Sequence, residues 1–341
     1  TATELDKNTA IGYQALKVMS GSSADPLTAN TAVGYQAGVA ITTGMNNTIV
    51  GASAGDAITT GNNNILMGLN AGGAIIGGSD NVAIGPGGVG DAITDGVHNT
   101  LVGSNSCGGA IIGGSYNVGM GGSALEQITT GDYNVALGYN SGQGNTGADY
   151  NVTVGSGAGN LTGPGNVAIG KGTLSGNNSG QYNVGIGYEA GNDVSTGNSN
   201  VLIGAYSGDK ITTSELIVAI GYQALSGATT EADGNTAVGY QSMDGDWTTA
   251  AHINSTAIGR GTMRGVLHAD SSGAVAIGLS ALGALTSGIG NVAIGYQALV
   301  VEDDGDRNTA IGYQALLNQT GVSGQVHNTA VGYIAGNGII T

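Results

Sequence analysis

The chain of 341 residues contains 67 glycines, 3 prolines and no phenylalanine, and its formal net charge is −16. Abundant glycine without a three-residue period excludes collagen, and a hydrophobic fraction of 40% is too high for a disordered linker. The acidic balance makes nucleic acid and anionic membranes poor partners, and the single cysteine, Cys107, excludes an internal disulfide framework.

The predicted elements start at residue 8 with the phrase NTAIGYQAL, which returns unchanged at 308–316. Close variants are NTAVGYQAG at 30–38 and NVAIGYQAL at 291–299. Counting looser copies that lack the asparagine, the pattern N-x-x-[IVLM]-G recurs 19 times, and we call its glycine the anchor glycine. Most successive anchor glycines are 17 or 18 residues apart. A period of this length predicts coils that stack on one another and share a core.

Each unit has the pattern of strand, bend, strand and turn. The residues before the anchor glycine alternate with period 2, which predicts one strand. A β-branched stretch such as AITTG, at 40–44 and 57–61, predicts a second strand before the turn. We therefore predict an all-β protein, a parallel β-solenoid of about 19 coils of 17–18 residues in a single domain, 1–341. The coils are mostly regular over 1–225 and carry longer inserts over 226–341.

Two positions of the repeat have predicted structural roles. An asparagine lies four residues before the anchor glycine in 16 of 19 units, and its stacked side chains are expected to hydrogen-bond to each other and to the bend. The anchor glycine is expected to permit the sharp turn that follows the strand. The residues named for these roles are Asn8, Gly12, Asn30, Gly34, Asn134, Gly138, Asn183, Gly187, Asn291, Gly295, Asn308 and Gly312.

The strand residues also suggest how the chain associates. We expect the β-branched residues on either side of the central strand residue to face the interior, and the central alanine to form an outer wall that another chain can approach closely. A roll of this size has a marginal core, so an apolar wall needs a partner. A closed symmetric oligomer of the same chain would supply that partner.

The phrases NTAIGYQAL, NTAVGYQAG and NVAIGYQAL resemble the head repeats of trimeric autotransporter adhesins, and more closely the repeat arrays of phage tail fibres. The resemblance spans essentially all 341 residues. It implies a left-handed β-roll assembled as a homotrimer, on a virion or bacterial surface, that binds a cell-surface glycan or protein. The repeat is longer than the usual adhesin repeat, and no heptad stalk, membrane anchor or helical chaperone domain is evident. We therefore expect a fragment, a processed chain or a free-standing fibre subunit.

Tyrosine is the main large side chain, with 14 in all, and nine of them directly follow an anchor glycine. Such regular placement favours stacking along the scaffold. The alternative is a ladder of aromatic platforms for glycans, for which Tyr240, Tyr296 and Tyr313 are candidate ligand-binding residues.

Irregular inserts are the better candidates for ligand binding, because repeat scaffolds usually carry function on their loops. Three inserts stand out, at 17–29, 244–253 and 261–273. The second contains the only tryptophan, Trp247, next to Asp244 and Asp246. An exposed tryptophan between two acids would suit a sugar ring, whereas the alternative is a tryptophan packed over the roll.

Residues with catalytic or metal-binding chemistry are scattered. The stretch EDDGDRN at 302–308 offers oxygen ligands to Ca²⁺ but lacks a calcium-binding loop pattern, so we expect a solvated turn. The four histidines are dispersed, and no zinc-protease or serine-hydrolase motif is present. We therefore predict no enzyme activity, metal or cofactor. Two less favoured alternatives are an ice-binding solenoid built on threonine pairs and a tail-spike glycosidase with paired carboxylates.

Overall fold

The computed structural model describes residues 7–19, 29–91, 93–109, 113–144, 146–177, 179–227, 232–245, 247, 253–267, 271–320 and 324–338. The chain divides into two compact units, Thr1–Asn166 and Val167–Thr341. All the extended regular elements of the described residues are β-strands. The all-β, parallel β-solenoid predicted from the repeat is confirmed.

The first unit, Thr1–Asn166, stacks its coils through strands of three residues that each end just before an anchor glycine. The strands are β1 (Thr9–Ile11), β2 (Thr31–Val33), β3 (Thr48–Val50), β4 (Ile65–Met67), β5 (Val82–Ile84), β6 (Thr100–Val102), β7 (Val118–Met120), β8 (Val135–Leu137) and β9 (Val152–Val154). Consecutive strands pair in parallel at a register of one repeat, so that Ala83 lies opposite Leu101.

The second unit, Val167–Thr341, has the same construction. Its stacked strands are β10 (Val167–Ile169), β11 (Val184–Ile186), β12 (Val201–Ile203), β13 (Val218–Ile220), β14 (Thr236–Val238), β15 (Thr256–Ile258), β16 (Val275–Ile277), β17 (Val292–Ile294), β19 (Thr309–Ile311) and β21 (Thr329–Val331). They also pair in parallel, with Ala293 opposite Ala310. A separate parallel pair joins β18 (Gly305–Asp306) to β20 (Gly324–Gln325).

The second β-branched stretch of the repeat is a bend, so the prediction of a second strand there is wrong. At 40–44, the backbone amides of Thr42, Thr43 and Gly44 all donate to the carbonyl oxygen of Thr59, at 3.0, 3.2 and 3.2 Å. A strand would distribute its hydrogen bonds over successive carbonyl groups of the neighbour. Three successive amides that share one carbonyl group indicate a bend in the chain. A coil with a bend at this place has a smaller interior than one with a second strand.

The central residue of the strand faces the interior, which reverses the predicted orientation. Ala32 and Leu101 have no exposed surface, and the central residue is buried in every stacked strand after β1. The flanking residues lie on the outer side, where Ile11 is 59% exposed and Met120 is 45% exposed. The interior is narrow because the bend also fills it, so only one side chain of each strand fits there.

Large and small side chains compensate for each other inside the coils. Leu66, at the centre of β4, belongs to the same coil as Gly72, where a Cβ atom would lie 2.8 Å from the Cδ2 atom of Leu66. In the coil of β17 the sizes are exchanged, with Ala293 at the centre and Leu299 after the bend, both fully buried. The interior volume is thus kept nearly constant, as dense packing requires.

The anchor glycine is required by the close approach of successive coils. Gly138 has a φ of 134°, a conformation that residues with a side chain rarely adopt. A Cβ atom at this position would lie 2.7 Å from the carbonyl oxygen of Gly155, the anchor glycine of the next coil. Backbone therefore packs directly on backbone at the end of each strand.

Candidate functional site

The repeat asparagines form a hydrogen-bonded ladder inside each unit, and this ladder positions the bends of the coils that contain the asparagine. In the first unit, Asn47 donates its backbone amide to the Oδ1 atom of Asn30 at 2.9 Å and its side-chain amide to the carbonyl oxygen of Gly61 at 2.9 Å. Both asparagines are fully buried. In the second unit Ile217 and Ala274 interrupt the ladder at the asparagine position, whereas Ser255 continues it, because its Oγ atom accepts from the backbone amide of Ala274 at 3.1 Å.

Aromatic side chains stack in columns along the outside of the coils. In the first unit, the rings of His98, Tyr116, Tyr133 and Tyr150 follow one another at centroid distances of 4.8, 4.8 and 5.1 Å. Each inner ring has both faces covered by its neighbours, so the column exposes ring edges and hydroxyl groups. A sugar ring needs a free aromatic face to pack on, and such columns offer a free face only at their ends.

The three candidate tyrosines lie in two such columns of the second unit. Tyr240 stacks on Tyr222 with a centroid distance of 5.4 Å. Tyr296, Tyr313 and Tyr333 form another column, with distances of 5.0 and 5.3 Å. The structure therefore does not bring the three predicted tyrosines together into one binding site.

Trp247 is buried, with 3% of its surface exposed, so its ring does not serve as an exposed platform for a sugar. Its backbone amide donates to the carbonyl oxygen of Gly227 at 3.4 Å, which ties it to the preceding coil. The carboxylate of Asp244 accepts a hydrogen bond from the hydroxyl group of Ser226. Asp246 lies outside the described residues. The placement of Trp247 agrees with the alternative of a tryptophan packed over the roll.

A cavity of about 270 Å³ opens at the start of the insert 261–273. It is lined by Tyr240, Gln241, Arg260, Gly261, Arg264, Leu279 and Ser280. Of these residues, Tyr240 is a predicted ligand-binding residue, and Gly261 and Arg264 lie in the insert 261–273, a predicted candidate for ligand binding. The available signal was the spacing of the two arginines, since they are two of only seven Lys and Arg residues in the chain and lie four positions apart.

A second cavity, of about 330 Å³ in the first unit, is lined by two carboxylates, Asp56 and Asp91. The Oδ1 atom of Asp91 accepts a hydrogen bond from the backbone amide of Gly73 at 2.8 Å. Burial raises the pKa of both carboxyl groups, and the charge of Asp91 raises the pKa of Asp56 further. Because two acidic side chains line this cavity, it is unfavourable for anions.

The acidic stretch at 302–308 is partly built into the interior. Glu302 is fully buried, where its Oε1 atom accepts from the amide of Gly305 at 2.7 Å and its Oε2 atom from the Nε2 group of Gln319 at 2.6 Å. Carboxylate oxygens of Glu302, Asp303 and Asp304 lie within 4.8 Å of one another. Burial and the neighbouring charge of Asp303 raise the pKa of Asp304. Both carboxylate oxygens of Glu302 accept hydrogen bonds within the protein, so this residue is part of the buried interior. The expectation of a wholly solvated turn is therefore wrong.

Two other titratable groups reflect burial in the coils. Burial raises the pKa of the Cys107 thiol, which makes the buried thiol a poor nucleophile. Burial also raises the pKa of Asp209 to about 6, against the opposing effect of Lys210, and the nearby carboxylates of Asp193 and Asp244 add to the increase. Carboxylates that belong to other coils thus contribute to the raised pKa of Asp209.

Comparison with models of known protein families finds no match, and comparison with curated protein sequences finds none either. Within the described part of the chain, the structure contains no helix long and apolar enough to cross a membrane.

Proposed function

We propose that this chain is an extracellular structural and adhesive fibre of the tail-fibre type, in which three copies associate and attach to a cell surface. The observation that carries the proposal is the apolar outer face of the stacked strands. This face repeats in coil after coil of each unit, so it is a property of the fold and not of one local sequence.

The outer face is apolar in both units. In the first unit, Ile65 and Met67 flank the buried Leu66 and are 40% and 41% exposed. In the second unit, Ile186 is 36% exposed and Ile258 is 39% exposed. Monomeric soluble proteins rarely expose a continuous apolar surface larger than a few hundred Å². A partner that covers this face would therefore stabilise the chain.

A second copy of the chain presents the same apolar face, so symmetric association covers every copy equally. The number three and the left-handed winding come from the resemblance to tail-fibre and adhesin-head repeats. The low content of charged residues, 9% of the chain, favours such stacking, because a charged position in a repeat would place like charges one coil apart.

Attachment to cells tests the adhesive part of the proposal. Fluorescently labelled full-length chain is incubated with a panel of bacterial cells, and bound fluorescence is measured against protein concentration. We expect saturable binding to some of the cells and competition by unlabelled chain. A heat-unfolded sample and an acidic protein of similar size are the controls. Binding no greater than that of the controls on every cell type would contradict the adhesive function.

A further inference from the structure

We propose that the cavity lined by Arg260 and Arg264 binds an acidic sugar unit, whose carboxylate is held by the two guanidinium groups. The inference rests on the proposed adhesive function and deepens it, because it names the chemical class of the surface ligand. It concerns only the second unit, which contains the whole cavity.

The charge distribution along the chain favours this position for an anion. The segment 247–301 contains two arginines and one carboxylate residue, Asp270, which gives it a net charge of +1. The remainder of the chain carries 5 Lys and Arg against 22 Asp and Glu, a net charge of −17. An anionic ligand is therefore repelled by most of the protein and attracted to this segment.

A small residue between two larger ones helps to form the cavity. In the coil of anchor glycine Gly259, the tyrosine position is occupied by Arg260 and the next position by Gly261. The neighbouring coils have Gln241 and Ser280 at the position of Gly261. A Cβ atom on Gly261 would meet only the Oγ atom of Ser280, at 3.8 Å. The absence of a side chain at Gly261 thus leaves a gap, here called the notch, between the polar side chains of Gln241 and Ser280.

Arg260 is held at the edge of this notch by an aromatic ring. Its Cζ atom lies 5.6 Å from the ring centroid of Tyr240, whose other neighbour in the column is Tyr222. A cation–π contact orients a guanidinium group and leaves its charge available to a ligand. Among the described residues, neither Arg260 nor Arg264 forms an ion pair. Both arginines are exposed, so a ligand can reach them.

The remaining lining of the cavity fits a sugar ring better than a small inorganic anion. A planar guanidinium group binds a carboxylate through two parallel hydrogen bonds. The side chains of Gln241 and Ser280 offer partners for hydroxyl groups, and Leu279, which is 38% exposed, offers an apolar wall for the ring carbons. A volume of about 270 Å³ lies near the lower limit of roughly 300 Å³ for small-molecule sites, which suits one sugar unit.

Ligand-observed NMR titrations of the full-length chain test this inference. The probes are glucuronic acid, glucose and inorganic sulfate, and the variants are Arg260→Gln and Arg264→Gln. Arg307→Gln is the matched control, because it removes the third arginine of the chain at a position outside the cavity. We expect glucuronic acid to bind about tenfold more tightly than glucose, and either cavity variant to lose about tenfold in affinity for glucuronic acid. Arg307→Gln is expected to bind as the parent chain does.

Three binding results would overturn the inference. They are equal affinity for glucose and glucuronic acid, competition by sulfate as effective as that by glucuronic acid, and unchanged affinity in the double variant Arg260→Gln/Arg264→Gln. A smaller assembled mass of the double variant would instead assign the arginines to contact with another copy, and would also overturn it.

Cell attachment separates this inference from the adhesive function on which it rests. If the chain binds glucuronic acid through the arginines but attaches to no cells, the cavity assignment stands and the adhesive function fails. If the chain attaches to cells and the double variant attaches equally well without binding glucuronic acid, the function stands and the cavity assignment fails.

Discussion

The side-chain oxygen of Asn30 accepts two hydrogen bonds from Asn47, one from its backbone amide at 2.9 Å and one from its side-chain amide at 3.0 Å. The two residues lie one coil apart, at the same position of the repeat. The side-chain amide of Asn30 also donates to the carbonyl oxygen of Gly44, in the bend of its own coil, at 2.8 Å. One buried side chain thus holds the bend of its own coil and contacts the next coil. This ladder has a large energetic role, because the groups it pairs have no access to water.

Replacement of Asn64 by alanine tests the ladder in the first unit. In the parent chain, the side-chain amide of Asn64 donates to the carbonyl oxygen of Gly78 at 2.9 Å, and its Oδ1 atom accepts from the backbone amide of Asn81 at 3.0 Å. The substitution leaves both of these groups without a partner. Each buried unpaired group costs about 1–3 kcal/mol, so we expect a loss of about 3 kcal/mol in the free energy of unfolding. Urea denaturation measures it. The control is Asn63→Gly, an exposed neighbour with a φ of 57°, which is expected to change stability little. Equal stabilities of the two variants would contradict the role of the ladder.

The close approach of backbones predicts different costs for two glycines. Gly138→Ala would place a Cβ atom 2.7 Å from the carbonyl oxygen of Gly155, so we expect at least about 3 kcal/mol of destabilisation. Gly157→Ala is the matched control, because its Cβ atom would meet nothing within 4 Å and only its φ of 63° opposes the change, at about 1–2 kcal/mol. Thermal unfolding compares them. A Gly138→Ala chain as stable as the Gly157→Ala chain would show that the coils can move apart.

Asp209 predicts a dependence of stability on pH. Its pKa is about 6 in the folded chain, above the value of about 3.9 expected when unfolded. The folded state therefore binds the proton more tightly, so this contribution to stability is complete below pH 4 and is lost as the pH rises through 6. We expect Asp209→Asn to raise the melting temperature at pH 7 and to flatten its dependence on pH between 4 and 7. Asp193→Asn, which removes only a neighbouring charge, is expected to have a smaller effect. A melting temperature with the same pH dependence in parent and Asp209→Asn chains would refute this account.

The apolar strand face predicts a position-dependent effect of charge on assembly. Ile186 lies on this face, whereas Leu216 is 66% exposed at a bend with a φ of 59°. We expect Ile186→Asp to dissociate the assembly, because a buried unpaired charge is costly at an interface. Leu216→Asp is expected to leave the assembly intact, and circular dichroism should show both chains folded. Sedimentation velocity measures the assembly. Dissociation by Leu216→Asp but not by Ile186→Asp would place the interface elsewhere.

The repeat period and its alternation of residues were sufficient to predict the parallel solenoid. They did not determine which side of the strand faces inward, because a three-residue strand with apolar residues on both sides has no unique hydrophobic face. Ala32 is small enough to lie on either side, and the decision depends on space taken by other residues, such as Ile41 of the bend. The sequence of the bend resembles that of a strand because β-branched residues occur in both structures. Its hydrogen bonds to the single carbonyl of Thr59 are not evident from the sequence.

The cavity was less predictable than the fold. Its residues come from three successive coils, and only the alignment of those coils brings Tyr240, Arg260 and Ser280 to one place. Trp247 is the only tryptophan of the chain, yet its side chain is buried and presents no exposed ring to a ligand. A rare residue type in a repeat is therefore a weak guide to a binding site.

The mass of the full-length chain in solution tests most directly whether the strand face is covered by copies of the same protein. Each chain has a mass of 33.1 kDa, so a trimer has a mass of about 99 kDa, three times that value. Light scattering coupled to size-exclusion chromatography, at micromolar concentration and neutral pH, measures it. The account predicts a single species of about 99 kDa. A stable, folded species of 33.1 kDa would contradict it, because the apolar strand face would then be exposed to water without a partner.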